Sequence, residues 1–169
     1  MKIYMFVGLP NSGKTTYIQN KILTENNNLV LISRDDILVE YGKKTLGENK
    51  DYTEIFKTLT NAQQDEINKI FNKKLEQAQK ENKDIVIDMT LLTKKARAKL
   101  FKNIHRDYKI DIYNVIAPMD DIIKRNQKRK IENGKFVPVE IIIKMAQSYE
   151  NPEKNEDKRI EHIYFIINQ

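Results

Sequence analysis

The chain has 169 residues, 40% apolar and 32% charged, a composition that supports a buried core and excludes a disordered chain. Thirty lysines and arginines against twenty-four acidic residues leave a net charge of +6, which favours a polyanionic partner without deciding for one. There is no cysteine and there are two histidines far apart, which excludes disulfides and thiolate chemistry and leaves no basis for a histidine metal cluster.

The first predicted strand runs from Lys2 to Val7. Its apolar run is too short for a signal peptide, and no later stretch approaches a membrane span, so a cytoplasmic protein with no membrane partner is expected. A helix is expected from Gly13 through Tyr17, Ile18, Ile22 and Leu23, ending at the breaker Asn26-Asn27-Asn28. The second strand is Leu29 to Ser33. Residues 41–51, rich in glycine and lysine, read as a connection to one long helical pattern carrying Ile55, Phe56, Leu59, Ile67, Ile70, Phe71, Leu75 and Ala78. Asp84 to Asp88 is a continuous β-branched run, as expected of a strand buried on both faces.

A basic helix over 93–106, a strand from Lys109 to Ile116 and a helix from Met119 follow. Asn133-Gly134 breaks that helix, Pro138 opens another, residues 151–159 read as a surface loop, and a strand over 162–167 closes the chain. Strands separated by helices predict an α/β fold: one domain over 1–169, with a parallel sheet of about five strands flanked by helices.

Between the first strand and the first helix lies Gly8-Leu9-Pro10-Asn11-Ser12-Gly13-Lys14-Thr15, the G-x-x-x-x-G-K-[ST] pattern of a P-loop. Its backbone N–H groups can wrap a β-phosphate at a helix N-terminus, Lys14 can reach the β- and γ-phosphates, and the Thr15 hydroxyl can ligate Mg²⁺. Gly8, Asn11, Ser12, Gly13, Lys14, Thr15 and Thr16 are therefore the candidate nucleotide-binding residues, with ATP and Mg²⁺ the expected cofactors.

Such a loop does not name the acceptor. Past the second strand stands Ser33-Arg34-Asp35-Asp36. Strand C-termini line one crevice in sheets of this kind, so Asp35 would face the P-loop and could accept a hydroxyl proton. Alone, the pair reads first as a helix cap and acidic first turn; a P-loop in the same crevice shifts the reading toward catalysis, with one aspartate capping while the other reacts. Asp88 ends the third strand, where a carboxylate can orient a metal shell, or where a polar strand end carries no chemistry. Arg125 and Arg129 share one helix face and form a candidate arginine lid on the triphosphate; without a P-loop they would read as a solvated basic face.

These pieces, in this order, resemble the kinase domain of phage polynucleotide 5′-kinases. The resemblance spans nearly the whole chain. It includes the P-loop with Pro10 and Ser12, Arg34-Asp35-Asp36, Asp88, Lys124-Arg125-Asn126 with Arg129, and Val137-Pro138 opening a helix that contains Met145. It implies ATP- and Mg²⁺-dependent transfer of the γ-phosphate to a 5′-hydroxyl end of DNA or RNA. It also implies Lys14, Asp35 and Arg129 as catalytic residues, Asp35 being the general base. Arg34, Asp88 and Thr90 would lie on the substrate side. The family's best-known members also carry a phosphatase domain; this chain would correspond to the kinase half.

One position departs from the pattern. The family has an arginine three residues beyond the catalytic aspartate, where this chain has Leu38. Either another cation replaces it, with Lys43, Lys44 and Arg97 as candidates, or the acceptor is a nucleotide, a modified base or another small hydroxyl compound. An NTP-binding regulator is the third reading. Lys94, Lys95, Arg97, Lys99, Lys102 and Arg106, with residues 124–130, supply charge for a nucleic-acid backbone, and Tyr41 and Tyr52 are candidates for base stacking.

Overall fold

Apolar, β-branched runs pair side by side because each has two faces to bury and no polar face to give to water. In the computed structural model, which describes residues 1–24 and 28–168, they are β1 (Lys2–Val7), β2 (Leu29–Ser33), β3 (Asp84–Asp88), β4 (Lys109–Ile116) and β5 (Ile160–Ile167). They form one sheet in the order β2-β3-β1-β4-β5, with every pairing parallel. The first strand is thus central, and the chain leaves it toward β3 on one side and β4 on the other. That reversal opens the crevice beyond the strands' C-terminal ends.

Successive side chains of β1 point to opposite faces. Ile3, Met5, Ile85, Ile87, Ile110 and Ile112 build the larger core layer with Leu38, Ile55, Ile67 and Leu75 from the helices. Phe6 and Val86 face the other way, onto Ile18, Ile22 and Val115. The strand bounds agree with the sequence reading, except that β5 begins two residues earlier, at Ile160.

The helices depart from expectation at their ends. Helix α1 (Lys14–Tyr17) passes directly into a π-helical turn over Ile18–Ile22, closed by Leu23 N–H donating to the Ile18 carbonyl. The asparagine breaker lies mostly outside the described residues. Residues 41–46, expected as connection, complete helix α2 (Arg34–Leu46). The single long helix expected after them is two, α3 (Tyr52–Thr58) and α4 (Asn61–Lys80). Each has its own capping box, Asp51 with Glu54 and Thr60 with Gln63, and these local hydrogen bonds divide a pattern whose hydrophobic period alone is continuous. The basic helix stops early, as α5 (Lys94–Phe101). Helices α6 (Met119–Asn133) and α7 (Val139–Gln147) follow β4.

The 151–159 segment is not simply a surface loop. It carries a 3₁₀ turn over Lys154–Glu156, and Glu156 lies against Arg97, which is fully buried. Arg97 Nε and Nη2 donate to the two Glu156 oxygens at 2.7 and 2.8 Å, and its remaining donors reach the Leu91 and Asn151 carbonyls. Arg97 therefore staples the chain's end to α5 and cannot serve as a substrate cation, which corrects one of the candidates for the missing arginine. Glu156→Ala leaves that guanidinium buried and unpaired, at a cost of about 3–5 kcal/mol. The expected fall in thermal midpoint is roughly 10 °C, measured by calorimetry; a change within error would mean the pair is dispensable.

Candidate active site

Gly8 begins the P-loop where backbone must approach backbone. A Cβ there would strike the Val115 carbonyl of β4, and the Gly8 N–H donates to the Thr90 carbonyl at 3.1 Å. The loop closes on Lys14, whose ammonium donates to the Gly8 and Leu9 carbonyls at 2.9 and 2.8 Å. Burial pushes the Lys14 pKa down to about 8, against the opposing pull of the Asp88 and Asp35 carboxylates. The Thr15 hydroxyl donates to Asp88 Oδ2 at 2.9 Å, and burial raises the Asp88 pKa. Thr16 is exposed in the first turn of α1, Ser12 is buried with its hydroxyl unpartnered, and Asn168 Nδ2 donates to the Ser12 carbonyl at 2.9 Å.

The arginine pair of α6 lies on this loop, as expected. Arg129 Nη1 donates to Asn11 Oδ1 at 2.7 Å and Arg125 Nη1 to the Asn11 carbonyl at 3.3 Å. Between them Asn126, fully buried, accepts from Asn11 Nδ2 and from the Val137 N–H, and donates back to the Val137 carbonyl. This amide ties the lid helix to the P-loop and to the chain beyond Asn133. Only its place between two arginines hinted at that role in the sequence.

On the other side of the crevice, Ser33 caps α2 by accepting from the Asp36 N–H. The cap is therefore neither aspartate, and Asp35 is left to face the crevice. Its Oδ1 accepts from the Tyr52 hydroxyl at 3.3 Å and its Oδ2 from Lys135 Nζ at 2.6 Å. Burial and the neighbouring Asp35 hold the Tyr52 phenol protonated, so it can only donate here. Tyr52 is therefore a partner of Asp35 with its ring under Lys135, the ammonium 4.4 Å from the centroid; Tyr41 packs against the core. Arg34 turns away to α4, donating to Asn68 at 3.0 Å and Gln64 at 2.8 Å.

Lys135 is the residue the sequence reading missed. Its position is fixed from both sides. Helix α6 ends on Gly134 in the left-handed conformation, and the Thr53 hydroxyl donates to the Gly134 carbonyl while accepting from the Phe136 N–H. The Asn133-Gly134 break was the available signal, a turn that throws the next side chain back over the crevice. Beside it opens a cavity of about 480 Å³, lined by Asp35, Val39, Lys43, Tyr52, Arg129 and Lys135 among others. Of the other cations proposed, Lys43 lines this cavity, while Lys44 is paired to Glu40 on the exposed face of α2.

A family model described as an AAA domain matches residues 3–152. The chain belongs to that family. No curated protein matches the sequence. Among solved structures, a chain of the Pnkp1/Rnl/Hen1 RNA repair complex is similar at 22% identity and a TM-score of 0.71, over 87% of this chain and 43% of that one. This chain thus spans less than half the length of that neighbour. A gluconokinase from Sinorhizobium meliloti 1021 is similar at 13% identity and a TM-score of 0.57, over 98% of this chain and 82% of that one. A sugar kinase from Janibacter sp. HTCC2649 is similar at 16% identity and a TM-score of 0.61, over 99% and 84%. The fold is the α/β P-loop kinase fold predicted from sequence, and these neighbours leave the acceptor undetermined.

The Lys14 pKa makes a prediction about the donor. A bound triphosphate favours the charged ammonium, and the free protein loses that proton as pH rises through about 8. Affinity for ATP should therefore fall above that point, by at most about tenfold per pH unit. Titration calorimetry at constant ionic strength tests this, and a profile unchanged up to about pH 9.5 would overturn it.

Proposed function

We propose that the protein transfers the γ-phosphate of ATP to the 5′-hydroxyl end of a DNA or RNA strand. The observation that carries this reading is Asp35, a carboxylate outside the helix cap, close enough to act on the Lys14 ammonium and standing at the mouth of a cavity whose lining mixes Lys43, Arg129 and Lys135 with carboxylates. A nucleotide switch has no need of a base there; a hydroxyl acceptor does.

Lys14 and the loop's N–H groups hold the phosphates, and Arg129 and Arg125 shift from Asn11 onto the triphosphate oxygens as they arrive. Thr15 Oγ1 and the Asp88 carboxylate are adjacent hard oxygen donors that fit Mg²⁺, as a direct ligand and as the carboxylate orienting it. When bound, the ion neutralises charge on the β- and γ-phosphate oxygens. Asp35 accepts the proton of the incoming hydroxyl as its oxygen attacks the γ-phosphorus. The exposed Lys95 and Lys99 of α5, with Lys102 just beyond it, remain available to backbone phosphates, and Lys94 is paired to Glu153.

A small hydroxyl acceptor is the second reading. It draws support from Leu38, fully buried where the 5′-kinase pattern has arginine, and from the gluconokinase and sugar kinase neighbours. γ-Labelled ATP with Mg²⁺ separates the two. Label is expected on a 5′-hydroxyl oligonucleotide and on no 5′-phosphorylated one; label on sugars or free nucleosides alone would overturn the proposal. Asp35→Asn should lower kcat on the order of 100- to 10,000-fold while leaving ATP affinity nearly unchanged. Ordinary turnover in that variant would remove Asp35 from the chemistry.

A further inference from the structure

Between the P-loop, β4, α6 and α7 lies a second cavity, of about 130 Å³. It shares no lining residue with the cavity beside Asp35, and no charged side chain lines it. Leu9, Ile116, Ala117, Ile122 and Ala146 make its walls largely apolar. Two polar atoms interrupt them, Ser12 Oγ and Asn114 Oδ1, and neither finds a hydrogen-bond partner among the described residues. Both side chains are buried, Ser12 to 1% exposure and Asn114 to 0%, so leaving these atoms unmet is costly. The Tyr149 hydroxyl donates to Asn151 Oδ1 at 2.6 Å, so Asn114 meets it as a donor, through Nδ2 at 2.6 Å. That fixes the amide and leaves its acceptor oxygen for the cavity. The Ser12 hydroxyl lies against Gly8 beside the Val115 carbonyl, since a Cβ on Gly8 would meet both atoms.

Water alone fits this space poorly. One water takes about 30 Å³ and needs at least two polar partners, which the two unmet atoms supply once. The rest of the volume is walled by apolar side chains, where further waters lack partners. A cavity of this size with apolar walls accepts a single aromatic ring. We infer that it is a binding site for a small neutral one-ring compound that carries an N–H or O–H donor. The donor meets Asn114 Oδ1, the Ser12 hydroxyl takes either role, and the ring packs against Leu9, Ile122 and Ala146. A charged compound is excluded because the walls hold no charge to pair with it. Leu9 and Tyr149 are only partly buried, which gives a way in from solvent. Gly8 and Leu9 also supply the carbonyls that hold Lys14, so the occupant touches the loop that receives the nucleotide. The site does not depend on which acceptor the protein uses.

4-Fluorophenol and 4-fluorotoluene have nearly the same shape and differ in the hydroxyl, and fluorine NMR reads the binding of each. The unaltered protein should bind the phenol with a Kd about fivefold lower than that of the toluene, the difference one hydrogen bond makes. Asn114→Leu should erase that preference. Ala146→Leu, which fills the cavity and keeps both polar atoms, should abolish binding of both compounds. Either variant suffices, provided its thermal midpoint shows that it is folded. Saturating ATP should leave the phenol bound. Binding of neither compound would mean that the cavity holds water only and would overturn the inference. Equal affinities for the two, a preference kept in Asn114→Leu, or binding unaffected by Ala146→Leu would overturn it as well. Competitive displacement by ATP would place the compound in the nucleotide crevice instead and would also overturn it.

Discussion

Lys14 carries a full charge into a position where little of it meets water, and the crevice is arranged around that burial. An unpaired ammonium there would be untenable. Two of its three N–H groups are met by the Gly8 and Leu9 carbonyls, which requires the loop to curl back over its own lysine. Gly8 can make that turn against β4 only because it has no Cβ. Asp88 answers the same charge from the end of β3, and its own burial cost is offset by Lys14 and by the Thr15 hydroxyl. Removing any of these members strands another in a poorly solvated place. An arriving triphosphate offers Lys14 stronger acceptors than the two carbonyls, so the site is prepared for a ligand it can hold more tightly than itself.

The lid belongs to the same network. Asn126 joins the P-loop, helix α6 and residue Val137 through three hydrogen bonds from one buried amide. The arginines that rest on Asn11 and the lysine that rests on Asp35 are thus carried by one stretch of chain, residues 125–135, anchored near its start by Asn126. Thr53 fixes the far side of the turn that holds Lys135.

The sheet was legible because a strand buried on both faces leaves a local mark, an unbroken apolar run, and each of the five runs became a strand. The P-loop, Asp35 and Asp88 were legible for a related reason: each sits at the end of an element, where parallel topology fixes the direction it faces, while Arg125 and Arg129 were legible as one face of a helix. What escaped was decided by contacts between distant segments. Nothing near Arg97 in the chain announces Glu156, so it read as one more basic residue of a charged helix. Thr60 divides a helical pattern whose apolar spacing continues across the gap. Arg34 looked like a substrate cation because Gln64 and Asn68, which receive it, lie a helix away.

Lys135 escaped for the same reason, and the packing of α2 explains why the cation stands there. Helix α2 has to present Asp35 to the crevice while burying Ile37 and Leu38 in the core. Helix α3 crosses α2 so closely that Ile55 occupies the space a side chain at Gly42 would need. That crossing lays Tyr52 over Asp35 and offers Thr53 as a seat for the turn after α6. Position 38 is committed to the core, and the cation that pairs with Asp35 is the first side chain after the Gly134 turn. The ammonium beside Asp35 and the arginines on Asn11 are thus held by a single piece of chain.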